Sequence, residues 1–128
     1  MALKQNNKAD VETFRLRKFI ELLEASGEVD NVDIPTPLSH VAGRLDGNPK
    51  AVLFKSAGPE GVELVGNVLG SRKRLALAFG VEEAQAMPEM MRRLQTSIPP
   101  VEVPTGHAPV QQIVLTGDDA DFTRLPVH

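Results

Sequence analysis

The segment 65–74, VGNVLGSRKR, carries the densest chemistry-bearing pattern in the chain. It reads as a strand running through a glycine turn into a helix whose first turn holds three cations. Free backbone amides at such a helix start, together with Arg72 and Arg74, can hold a phosphate or a carboxylate. Gly70, Ser71, Arg72 and Arg74 are therefore a candidate anion site. A plainer reading of the same residues competes with it: Ser71 is an ordinary helix cap, the glycines permit a tight turn, and the cations lie on a solvated face. The spacing is neither a phosphate-binding loop, which needs Gly-Lys-Ser/Thr, nor a dinucleotide fingerprint.

The other chemistry-bearing residues are dispersed. Asp118, Asp119 and Asp121 could offer oxygens to a hard cation, but no glycine and distal glutamate follow at the offsets of a calcium loop, and a solvated turn explains them as well. His40, His107 and His128 lack a second histidine or carboxylate one helical turn away, so zinc is not indicated. None of Ser26, Ser39, Ser56, Ser71 and Ser97 has the Gly-x-Ser-x-Gly setting of a nucleophile elbow, and no base is placed beside one. Met87, Met90 and Met91 fall on a late helix, where methionine is expected as core filler. The residues alone give a folded module with no assembled active site.

Composition narrows the classes further. The 128 residues include no Cys, Trp or Tyr, and 17 acidic residues stand against 14 basic ones. Without cysteine there are no disulfides, thiolate nucleophiles or cysteine-ligated clusters. A net charge of −3 and few aromatic side chains argue against nucleic acid as a partner. The apolar runs are too short to span a membrane and the polar start is unlike a secretory signal, so a cytoplasmic location is expected.

The elements that must position these residues follow from periodicity. Residues 1–9 are polar and aperiodic, and are expected to be a disordered tail. From Asp10 onward Leu16, Phe19, Ile20 and Leu23 fall at helical spacing, with Gly27 suited to a left-handed cap. Residues 29–34 alternate as a strand. Thr36 is expected to cap a second helix with Pro37 in its first position, an apolar stripe through Leu38, Val41, Ala42 and Leu45, and an end near Gly47. Residues 51–54 and 62–69 read as strands joined by a turn at Gly58, Pro59 and Gly61. A short helix closed by Gly80 precedes another through Glu82, Ala86, Met90, Met91 and Leu94, restarted or kinked at Pro88. Four prolines within 98–109 predict an extended connector, after which 110–115 regains strand character.

The fold class is thus α/β (α+β): a small mixed sheet flanked by helices over 10–97, a Pro-rich connector over 98–109, and the incomplete start of a further domain over 110–128. A lone strand there would need pairing from outside the segment.

Four segments in this order, 16–28 (LRKFIELLEASGE), 51–54 (AVLF), 65–80 (VGNVLGSRKRLALAFG) and 109–126 (PVQQIVLTGDDADFTRLP), resemble the N-terminal region of UbiD-family decarboxylases. Lys55-Ser56 departs from the Glu-Asn pair expected after the strand. The resemblance implies a carboxy-lyase that reversibly decarboxylates aromatic or α,β-unsaturated acids using prenylated FMN, with Mn2+ and K+, and a homo-oligomeric parent enzyme. It also implies that 110–128 begins a split-barrel flavin-binding domain. The family's catalytic, cofactor-binding and metal residues lie downstream of the matched motifs, so no residue here takes those roles, and the segment alone is expected to bind no cofactor and to be inactive. Its partner would be the remainder of the enzyme. The alternative, from a different class, is an interaction subunit that adds the 110–115 strand to a separately encoded catalytic partner.

Overall fold

The structure, a computed structural model, describes residues 15–96, 99, 100, 102, 104 and 106–124. The expected tail, the helical start before residue 15, Ser97 and His128 lie outside the described residues.

Helix α1, Leu16–Ala25, buries Leu23 completely and half-buries Phe19 and Ile20, the inner part of its predicted stripe. It ends as the glycine predicts. Gly27 adopts φ 71°, and the N–H groups of Gly27 and Glu28 donate to the carbonyls of Glu24 and Leu23 at 3.0 and 2.8 Å. These two bonds form a Schellman cap and turn the chain directly into β1, Val29–Val32.

β1 lies parallel to β2, Ala51–Ala57, and β2 lies antiparallel to β3, Val62–Gly66, giving the order β1-β2-β3. The crossover between the parallel strands carries α2, Leu38–Leu45. The central strand is covered on both faces, which is why its first four residues are all buried and apolar. On one face Val41 of α2 meets Val52, Phe54 and Ala57, with Leu38 and Leu45 at the margin. On the other, Leu53 and Val65 face Leu16 and Ile20 of α1 around a shallow hollow of about 310 Å³. Burying Phe54 stabilises the fold by roughly 1.5–3 kcal/mol. A bulge between Phe54 and Ala57 inserts one extra residue opposite β3. It restores Ala57 to the α2 face when strict alternation would have turned it away.

Helix α3, Arg72–Phe79, ends at Gly80 with φ 70°. A 3-10 turn over Glu83–Gln85 leads into α4, Ala86–Leu94. Arg93 clasps the two helices: its Nη2 donates to the Phe79 carbonyl at 2.9 Å and its guanidinium stacks over the Phe79 ring at 4.8 Å.

Several expectations are corrected. Thr36 does not cap α2, because its N–H and carbonyl are spent on Ser56 and Gly58 across a bridge to β2; Pro37 is the cap. The first strand stops at Val32 and the third at Gly66, where Asn67 takes φ 56° and breaks the extended run. Pro88 neither restarts nor kinks α4. It is the helix's third residue, within the first turn, whose N–H groups have no intrahelical acceptor in any case. Met87 and Met91 are not core filler; they are 52% and 53% exposed, and only Met90 is half-buried. Residues 110–115 form no strand. A 3-10 turn at Pro109–Gln111 is followed by irregular chain, since no neighbouring strand is there to take the backbone hydrogen bonds. Nothing of a split barrel is present among the described residues.

Candidate functional site

The segment 65–74 folds as its sequence implies, strand to turn to helix. Asn67 occupies the left-handed region, its Nδ2 donates to the Leu45 carbonyl at 2.9 Å, and the Gly70 N–H closes the turn on the Asn67 carbonyl at 3.0 Å. Ser71 is the α3 cap: its Oγ accepts from the Arg74 N–H at 3.1 Å. The plainer reading therefore holds for Ser71, and Arg72 and Lys73 are exposed.

Arg74 departs from that reading. It is 1% exposed, the largest fully buried side chain of the described residues. Its Nη1 donates to the Pro49 carbonyl at 2.7 Å and to Glu28 Oε2 at 3.2 Å, while Lys73 Nζ holds Glu28 Oε1 at 2.6 Å. The Lys73 hydrogen bond, aided by Arg74, holds the Glu28 carboxyl below its ordinary range. Glu28 itself is fixed by the α1 cap and by its carbonyl, which accepts from the Ala51 N–H at 3.0 Å. One ion-pair cluster thus joins the end of α1, the starts of β1 and β2, and the first turn of α3. Sequence reasoning missed Glu28, whose only local signal is its place immediately after the Gly27 cap.

Beside this cluster lies a cleft of about 500 Å³ whose walls include Asp46, Asn48, Asn67, Gly70 and Arg74. The structure therefore brings Gly70 and Arg74 of the candidate anion site together at one cleft, whereas Ser71 serves α3.

The remaining candidates do not assemble. Asp118 and Asp119 lie on an exposed 3-10 turn, and Asp121 Oδ1 accepts from the N–H and hydroxyl of Thr123 at 2.9 and 2.6 Å. His40 and His107 are exposed. Ser26 Oγ donates to the Leu22 carbonyl at 2.8 Å, one turn back in its own helix. No group of three His, Asp or Glu side chains converges among the described residues. The described residues thus offer no donor set that fits a divalent metal. No helix among the described residues is long and apolar enough to cross a membrane.

Residues 15–94 match the family model described as the 3-octaprenyl-4-hydroxybenzoate carboxy-lyase N-terminal domain. The match runs from the residue before α1 to the last residue of α4, taking in the whole sheet, the Glu28–Arg74 cluster and the cleft, and it covers well over half of the chain. The chain belongs to the UbiD family of carboxy-lyases through this N-terminal domain.

Proposed function

We propose that this chain is the N-terminal portion of a UbiD-like enzyme that reversibly decarboxylates aromatic or α,β-unsaturated carboxylic acids. The observation that carries this is the family match over every helix and strand from α1 to α4. In such an enzyme prenylated FMN, with Mn2+ and K+, supplies the electron sink for loss of carbon dioxide. These residues would contribute a rigid wall against the cofactor-binding part and leave the chemistry to it. The exposed apolar run of Val110, Ile113, Val114 and Leu115, 58–86% accessible, supports a surface that the rest of the enzyme buries. The parent is proposed to be a cytoplasmic homo-oligomer.

The same exposed run favours a second reading, an interaction subunit that docks on a separately encoded catalytic partner. The source gene separates the two. A reading frame that continues through His128 into a flavin-binding sequence is the expected result; a stop codon at that point would overturn the first reading in favour of the subunit.

A further inference from the structure

The geometry points to a binding site for a small oxyanion, of the phosphate or carboxylate class, in the cleft between the end of α2 and the start of α3. The site is built on the unused edge of Arg74. A guanidinium has two forked edges, and here Nη1 takes both acceptors, Glu28 and the Pro49 carbonyl. Nε is buried without a hydrogen-bond partner, and Nη2 forms no hydrogen bond among the described residues. The N–H bonds of Nε and Nη2 lie nearly parallel in one plane, the edge that grips two oxygens of a carboxylate or phosphate. Nε, in a residue that is 1% exposed, thus lacks the partner that a buried polar group ordinarily finds, and the arrangement is one that a ligand would complete.

Two features bring the guanidinium to the cleft. Arg74 forms part of its wall, and Nη2 lies 3.0 Å from the point where a Cβ on Gly70 would stand, so glycine keeps the approach open. α3 begins at the same place, and the Arg72 and Lys73 amides are among the first-turn N–H groups that attract negative charge. Glu28 anchors the far edge of the guanidinium and so holds it in place for a second anion. Asp46, across the cleft, can accept a hydrogen bond from a protonated oxygen, as in hydrogen phosphate.

The test is an NMR titration of the full chain with inorganic phosphate and, separately, acetate, against sodium chloride at matched ionic strength. The readouts are the Arg74 Nε–Hε resonance and the amides of Gly70, Arg72 and Lys73. At least one oxyanion should shift these together and saturably; which one does so assigns phosphate or carboxylate. Arg74→Lys keeps the charge but removes the forked edge, and should weaken binding at least about tenfold, the loss expected for one charge-assisted hydrogen bond. If Arg74→Lys fails to fold, Gly70→Ala, which closes the approach without forcing a positive φ, should have the same effect. Shifts that match chloride, shifts that persist in Gly70→Ala, or a crystal structure at saturating phosphate and acetate with water only on Nε would each overturn the site.

Discussion

Replacing Arg74 by Met isolates what the buried guanidinium does for the fold. Methionine fills most of the stem volume, so the loss is electrostatic rather than a cavity. Two charged hydrogen bonds disappear, at 2.7 Å to the Pro49 carbonyl and 3.2 Å to Glu28. Breaking a buried pair costs about 3–5 kcal/mol when the surviving charge is orphaned. Glu28 is not orphaned, because Lys73 stays at 2.6 Å, so the lower end applies. Removing the unpaired Nε returns about 1 kcal/mol, leaving a net destabilisation of about 2–3 kcal/mol. For a domain of this size that lowers Tm by roughly 10–20 °C. Urea and thermal unfolding followed by circular dichroism measure it, and a double-mutant cycle with Glu28→Gln isolates the pair. A loss below about 0.5 kcal/mol, or a coupling indistinguishable from zero, would show that Arg74 merely occupies space.

Acid unfolding should carry the Glu28 signature. Its carboxyl is held below the ordinary value of 4.5 in the folded chain, so the unfolded chain binds more protons there. The stabilisation is present above that value and is lost as pH falls through the folded one; Glu28→Gln should flatten this part of the pH–stability curve. Glu89, held by hydrogen bonds from Arg92 and then Arg93, has its carboxyl lowered to about 2, and an NMR titration should find its midpoint well below that of an ordinary glutamate. Gly66→Ala would drive a Cβ into the Leu45 methyls, at a cost of about 1–3 kcal/mol, and Leu45→Ala in the same chain should recover part of it. Gly27→Ala, at φ 71°, should cost about 1 kcal/mol in urea unfolding through the α1 cap.

Local signals were legible where one residue decides the outcome. Gly27 and Gly80 end their helices, Ser71 starts one, and the apolar run at 51–54 is the central strand. Both a cap and a bridge suit a threonine at position 36, and only the proximity of Ser56 decides between them. The bulge that turns Ala57 inward leaves no mark in an isolated sequence. The 110–115 run has strand composition but no partner, and propensity without pairing does not make a sheet. At the candidate site the residue types were visible. The depth of Arg74 was not, since burial of an arginine depends on a glutamate 46 positions away. For Met87 and Met91 the helical spacing is legible, but nothing local tells which face of α4 meets the core, and both are exposed.

The most direct measurement is carbon dioxide release from aromatic and α,β-unsaturated acids, with prenylated FMN and manganese supplied, by this chain alone and by the full-length enzyme from the same gene. Release by the full-length enzyme and none by these 128 residues is the result expected. Turnover by the isolated chain would contradict the assignment of the reacting groups to the rest of the enzyme.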